Sequence, residues 1–277
     1  MPYAELPGRK AHYVRRGEGE PFLAIMGMSG SHVSWGEPFL EALARDFDVI
    51  AFDNRGVGLS DWVSEPFATA DLAADAAGLL DALEVESAHV LGVSMGGMIA
   101  QELVLTHPER VRTLSLGCTY CGGPNGRITS PAVAQRLAAG MMSGDRELAL
   151  RTAYEVNLSA GYRADESRYA AFREMATQYP AAVEVILLQA QAAQAHDAAA
   201  RLAAIATPTL VIHGTEDEML ECSNGELIAS LIPGARLERL EGVGHMFWWE
   251  QPERSAALVR EHARTAAGTA GEAAARQ

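Results

Sequence analysis

No apolar run in this sequence approaches the ~20 residues that a bilayer-spanning helix needs. The first ten residues, Met1 to Lys10, also lack the hydrophobic core of a signal peptide. The expectation is a cytoplasmic protein with no membrane partner. Cysteine is scarce: Cys118, Cys121 and Cys222 are too few, and odd in number, for a disulfide framework. Cys118 and Cys121 form a single C-x-x-C, but no second ligand pair at zinc spacing accompanies it and no thioredoxin-like context surrounds it. No metal site is expected, and the two thiols are read as structural or as pocket wall. Basic residues are short as well, 22 Lys and Arg against 36 Asp and Glu, for a formal net charge of -14. That balance argues against nucleic acid or an anionic membrane as partner. No internal repeat is evident.

What is present is an ordinary globular composition, 48% hydrophobic and 21% charged, which excludes a wholly disordered chain. A chain of 277 residues can bury one large core, with or without an inserted subdomain. Phe22 to Met26, Phe47 to Asp53, His89 to Val93 and Val111 to Leu116 are short and nearly continuously apolar, as strands buried on both faces are. Trp35 to Arg45 and Thr69 to Leu83 read as helices between them, so the fold class is α/β, a mostly parallel sheet covered by helices on both faces. From about Thr119 to Ala204 the strand signal gives way to Ala-, Met- and Gln-rich helical segments broken by Pro131, Gly144, Gly161 and Pro180. Strands resume at Pro208 to His213 and Ala235 to Leu240, and a helix begins near Pro252. The expected organisation is an α/β core of residues 1–118 and 205–264 and a helical cap inserted over 119–204. Residues 265–277, rich in Ala and Gly without a periodic apolar face, are expected to form a disordered tail.

Gly92-Val93-Ser94-Met95-Gly96-Gly97 matches G-x-S-x-G between the strand His89 to Val93 and the helical run Met98 to Thr106. Such a turn holds Ser94 in a strained backbone conformation that presents its Oγ, and the small residues two positions to either side let strand and helix approach. The adjoining helix N-terminus favours negative charge developing there. Serine needs a base to take its proton and a third group to orient that base. Of the eight histidines, His12 falls in an N-terminal hairpin, His107 at a helix end, and His196 and His262 on helices; all four read as surface or packing residues. His89 begins the strand leading to Ser94, and His213 ends a strand, where it would support a neighbouring loop. His245 differs: Gly242-Val243-Gly244-His245 is a glycine-flanked loop just after the last strand, able to deliver an imidazole over the sheet's carboxyl edge. For the acid, Val211 to Asp217 runs off a strand end into a loop, where sheet ligands gather. Asp217 fits the order Ser, acid, His. Glu216 and Glu218 are its adjacent rivals, and Asp217 is favoured on the motif's usual spacing.

Together with Met26-Gly27-Met28 after the first long strand and the D-x-R-G-x-G-x-S segment from Asp53 to Ser60, these motifs resemble the α/β-hydrolase superfamily. The likeness covers nearly all of the chain outside cap and tail. It is similar to the serine-nucleophile branch that holds 3-oxoadipate enol-lactonases, carboxylesterases and cofactor-free perhydrolases. The resemblance implies an α/β-hydrolase fold and a triad of Ser94, Asp217 and His245 working without cofactor or metal, with the backbone N–H groups of Met28 and Met95 as oxyanion donors. Members usually have His-Gly where this chain has Met26-Gly27; the change removes a side chain that often braces the loop but leaves the main-chain donors. Asp53 to Ser60 would form a structural turn beside the entrance, with Arg55 bonding loop carbonyls. The implied reaction is cleavage of a small uncharged carboxylic ester or lactone through an acyl-enzyme on Ser94. Carbon–carbon bond hydrolysis, perhydrolysis, and a ligand receptor that retains the triad are the alternatives. Dehalogenases and epoxide hydrolases are disfavoured because they use an Asp nucleophile. Met28, Met95, Met98, Met141, Met142, Phe247, Trp248 and Trp249 are candidates to face an apolar entrance, with Met142, Phe247 and Trp248 proposed for the pocket, although such residues also fill cores.

Overall fold

The apolar runs become the centre of an eight-stranded sheet in the order β1-β2-β4-β3-β5-β6-β7-β8. The structure is a computed structural model; it describes residues 2–274, with side chains as far as residue 266. β1 (Tyr3–Leu6) and β2 (Arg9–Arg16) make an antiparallel hairpin, and β2 pairs antiparallel with β4. β3 (Glu20–Ile25), β4 (Phe47–Phe52), β5 (Ala88–Val93), β6 (Val111–Gly117), β7 (Thr209–Gly214) and β8 (Arg236–Leu240) all pair in parallel. Every residue of β5 and of β7 is buried, as central strands covered on both faces must be.

The two-residue period of a strand divides the core into two layers. Leu23, Ile25, Ile50 and Val90 face one side, Phe22, Ala24, Val49 and Leu91 the other. α1 (Glu37–Ala44) packs on the second side, whereas α2 (Thr69–Ala82) and α3 (Met95–Thr106) cover the first. Between β6 and β7 the chain forms α4 (Pro131–Met142), α5 (Arg146–Asn157), α6 (Ala160–Arg163), α7 (Arg168–Gln178) and α8 (Val183–Ala195), followed by a 3-10 turn, Ala199–Ala204. Three of these helices begin on residues whose side chains accept from the first turn, Ser130, Asp145 and Ser159. After β7 come α9 (Ser223–Leu231), α10 (Phe247–Glu250) and α11 (Pro252–Ala274), the last lying beside α1 with Ala256, Val259 and Ala263 buried.

Two expectations change. Trp35 to Arg45 is not one helix: a 3-10 turn, His32–Trp35, ends at Gly36 with φ 71°, and α1 restarts at Glu37 with a proline in its first turn. Nor is the segment from residue 265 a tail, because α11 continues through Ala274; alanine has the highest helix propensity and needs no apolar stripe to extend an anchored helix. Residues 275–277 lie outside the described residues. No helix among the described residues is long and apolar enough to cross a membrane.

His12, His89, His196 and His262 are all held below the usual imidazole pKa, in each case first by burial. His196, pushed down to about 4, joins the end of α8 to the core: it lies 3.1 Å from Thr69 Oγ1 and 3.4 Å from Gln101 Oε1. A histidine neutral in the folded state and protonated in the unfolded state destabilises the fold as pH falls below about 6.5. His196 alone is expected to lower the unfolding free energy by about 2 kcal/mol between pH 7 and pH 5. Urea unfolding across that range should show the decline, and His196→Gln should flatten its share; the same slope in that variant would contradict the assignment.

Candidate active site

All six parallel strands run in one direction, so the loops after β3, β5, β7 and β8 meet at one edge of the sheet, the usual place for a ligand in open α/β sheets. At the end of β5 the chain turns into α3 through Ser94, which has φ 55° and ψ -124°. A non-glycine residue at positive φ costs of order 1–3 kcal/mol, so the surroundings must enforce it. They do so by crowding. A Cβ on Gly92 would stand 2.2 Å from Gly96 O, and one on Gly96 would stand 2.0 Å from Ile25 O, so β5, α3 and β3 approach only because both positions lack a side chain. The elbow is then tied to β6: Ser94 N–H donates to Gly117 O at 2.9 Å, and Thr119 Oγ donates to Ser94 O at 2.6 Å.

The loop after β3 lies against the serine, since a Cβ on Gly27 would be 2.9 Å from Ser94 Cβ. Side-chain amides brace it at both ends. Asn54 Nδ2 donates to Met26 O at 3.0 Å, and Gln189 Oε1, from α8, accepts the N–H of Ser29 at 2.8 Å, holding that residue at φ 62°. Between these braces the N–H of Met28 meets no acceptor among the described residues, and neither does that of Met95 at the start of α3. The bracing side chain that Met26 lacks is thus replaced by Asn54 and Gln189.

The Asp217 side chain is fully buried and accepts three hydrogen bonds, with a second imidazole close by. Oδ1 takes the N–H groups of Met219 and Leu220 at 2.8 and 2.9 Å; Oδ2 takes His245 Nδ1 at 2.7 Å and lies 3.1 Å from His213 Nε2. His213 Nε2 also donates to Leu220 O at 2.7 Å, so this nitrogen carries the proton. Burial pushes the Asp217 carboxyl up, but the charge of His245 and the hydrogen bonds from His213 and His245 outweigh it and hold the group well below the usual carboxylate range. Glu216 and Glu218 are exposed, and Glu218 pairs with Arg136 at 3.1 Å. The structure therefore brings Asp217, not its neighbours, to His245. No hydrogen bond joins Ser94 Oγ to His245 among the described residues; such contacts often tighten only around substrate.

Glu250, which lies in α10, carries no functional signal in the sequence. Its carboxylate accepts Gly244 N–H at 2.9 Å, Ser159 N–H at 2.7 Å and Ser159 Oγ at 2.6 Å, fastening the loop that carries His245 to the start of α6. Met246 N–H adds a bond to Asn157 O at 3.0 Å. Cys118, next after the Gly117 that holds Ser94, has its sulfur within 4.8 Å of ligand atoms of Asp217 and His245. Burial, then the charge of Asp217, pushes the Cys118 thiol well up, so it remains protonated and apolar rather than nucleophilic. The other cluster of metal-ligating side chains, His12, His32 and Asp53, is already internally bonded, with both rings 3.0 Å from the carboxylate.

Several side chains lie elsewhere than the sequence suggests. Phe247 and Trp248 do not line an opening: both are buried, Phe247 across the place where a Gly117 Cβ would stand, and Trp248 with its indole N–H on Ser34 O at 2.9 Å. Met142, at the end of α4, is 86% exposed. Met95 and Met98 belong to the core, Met28 is half-buried, Met141 is exposed, and Trp249 donates to Ser34 O. Arg55 does not bond loop carbonyls: its Nη2 bonds the carbonyl of Asp71, in the first turn of α2, and its Nε pairs with Asp75 at 2.7 Å. In the turn from Asp53, Gly56 and Gly58 have φ 77° and 59°, and the Asp53 carboxylate occupies the place a Gly58 Cβ would need. A cleft of about 680 Å³ walled by Ser143, Asp145, Arg173 and Thr177 contains none of the residues at the sheet edge.

Comparison with known proteins agrees with this architecture. The chain is 31% identical over 277 aligned residues to rhodomycin D methylesterase DauP of Streptomyces sp. strain C5, covering 89% of this chain and 91% of the relative. A hydrolase from Pseudomonas aeruginosa PA01 is 30% identical, with a TM-score of 0.81 over 94% of this chain and 97% of its own. The enol-lactonase from Burkholderia xenovorans LB400 is 26% identical, with a TM-score of 0.82 over 94% and 99%. Residues 20–252 match the family described as alpha/beta hydrolase fold. The chain belongs to the α/β-hydrolase family and is a hydrolase.

Proposed function

We propose that the chain cleaves a small uncharged carboxylic ester or lactone through an acyl-enzyme on Ser94. The observation that carries this reading is the hydrogen bond from His245 Nδ1 to the buried, ionised Asp217 at the edge where the strained Ser94 elbow stands. Because Nδ1 donates to Asp217, Nε2 is the ring's free base. Ser94 Oγ attacks the acyl carbon as its proton passes to His245 Nε2, and the carbonyl oxygen becomes an oxyanion between the N–H groups of Met28 and Met95. The carbon–oxygen bond to the leaving group then breaks, and His245 returns the proton to the departing alcohol oxygen. Water, deprotonated by the same ring, attacks the acyl-enzyme and releases the acid and Ser94. For a lactone the two products stay joined as one hydroxy acid. The methylesterase and enol-lactonase among the similar proteins support this substrate class.

Treatment with a serine-reactive alkyl phosphonate should add one phosphonyl group, located to Ser94 by peptide mass spectrometry, and abolish ester cleavage. An adduct on a different residue, or unimpaired turnover in fully labelled protein, would overturn the reading.

A further inference from the structure

Gln189 is wholly buried, and half of its side-chain amide has no partner. Oε1 accepts the Ser29 N–H at 2.8 Å, whereas Nε2 is shielded from solvent and makes no hydrogen bond among the described residues. The bond to Ser29 fixes which end of the amide is oxygen, because a backbone N–H needs an acceptor. The two amide heteroatoms are about 2.2 Å apart, so the unpaired N–H₂ lies within about 5 Å of the Ser29 nitrogen. That places a dry donor against the loop that carries Met28 and Ser29, and the N–H of Met28 takes the oxyanion in the reaction proposed above. Buried donors are almost always satisfied, and one left open at the edge of a binding site is best satisfied by the ligand. Val185, one turn earlier on α8, belongs to the same apolar core layer as Met95 and Met98.

We infer that Gln189 is a specificity-determining residue, and that its Nε2 donates to a second, uncharged oxygen acceptor of the substrate a few bonds from the scissile carbonyl. The inference rests on the serine-hydrolase reading. A buried, neutral amide donor suits a neutral acceptor, so the preferred substrates are esters or lactones bearing an ether, ketone or ring oxygen. Plain alkyl esters leave the donor unpaired in the complex.

The test compares substrates that differ by an oxygen in place of a methylene. 4-Nitrophenyl methoxyacetate against 4-nitrophenyl butanoate probes the acyl side; 2-methoxyethyl acetate against butyl acetate probes the alcohol side. Each kcat/KM ratio is measured for the wild type, Gln189→Met and Gln189→Asn, so that intrinsic reactivity cancels between proteins. Methionine fills the space without a donor, and asparagine withdraws the amide by one methylene. One of the two ratios should fall about tenfold in both variants, the worth of one net hydrogen bond. A role confined to bracing the loop would lower turnover of both members of each pair alike and leave the ratios fixed. Phosphonate labelling of Ser94 in each variant reports a folded site. Both ratios unchanged within twofold, in proteins that label, would overturn the role of Gln189 alone; wild-type protein that neither labels nor turns over would overturn the serine-hydrolase reading and this inference with it.

Discussion

Replacing Ser94 with alanine is expected to lower kcat for ester cleavage by a factor of about 10³ to 10⁶. In the proposed reaction the lost oxygen is the atom that bonds to the acyl carbon, so no other group takes over the covalent step. What survives is binding and the pull of the Met28 and Met95 amides on a carbonyl attacked by water, the kind of residual catalysis that remains when a triad member is removed. The fold should be indifferent. The contacts that secure the elbow, Ser94 N–H on Gly117 O and Thr119 Oγ on Ser94 O, are made by the main chain of residue 94, and alanine keeps the Cβ. Thermal unfolding should therefore shift by no more than a degree or two while activity collapses. A variant retaining a tenth of the wild-type kcat, with its mass confirming the substitution, would remove Ser94 from the mechanism.

Asp217→Asn is expected to lower kcat by about 10⁴, and the structure says why no rearrangement rescues it. Oδ1 faces two main-chain N–H donors and Oδ2 faces two imidazole nitrogens, so either way of seating an Asn amide turns its N–H₂ toward donors. The backbone pair cannot change, whereas an imidazole can move its proton. The amide oxygen therefore stays with Met219 and Leu220, and the N–H₂ confronts His245. The ring then presents an unprotonated Nδ1 and carries its proton on Nε2, the atom that should receive the proton of Ser94. Steady-state kinetics should show the fall in kcat at neutral pH. Urea unfolding should also show a less stable protein, by about 1–3 kcal/mol for a buried polar group left mispaired. Activity within tenfold of wild type would mean that Asp217 does not set the tautomer.

Much of this arrangement was legible in the sequence, for identifiable reasons. Strands buried on both faces are written as apolar runs, so Phe22 to Met26 and His89 to Val93 could be placed to within a residue or two, and the hairpin containing His12 was anticipated. The elbow was legible because close approach of β3, β5 and α3 admits only glycine at 92 and 96. Asp217 could be ranked above Glu216 and Glu218 but not separated from them, since adjacent residues in a loop differ in direction, not in composition. Glu250 and Gln189 left no signal. Each acts on a residue far away in sequence, Ser159 and Ser29, and ordinary glutamates and glutamines occur on any helix. The aromatic pair Phe247 and Trp248 was misplaced because a short helix next to the site can turn its large side chains inward, to where the core needs volume.

The bonds from Gln189 to Ser29 and from Ser159 to Glu250 have a consequence for how the molecule can move. One secures the loop that would receive the oxyanion, the other the loop that carries His245, and both reach into the helices between β6 and β7. Swinging those helices away as a rigid body would release both loops at once, so an open form would also be an unassembled form. The two bonds thus belong to one unit of local stability rather than two independent ones.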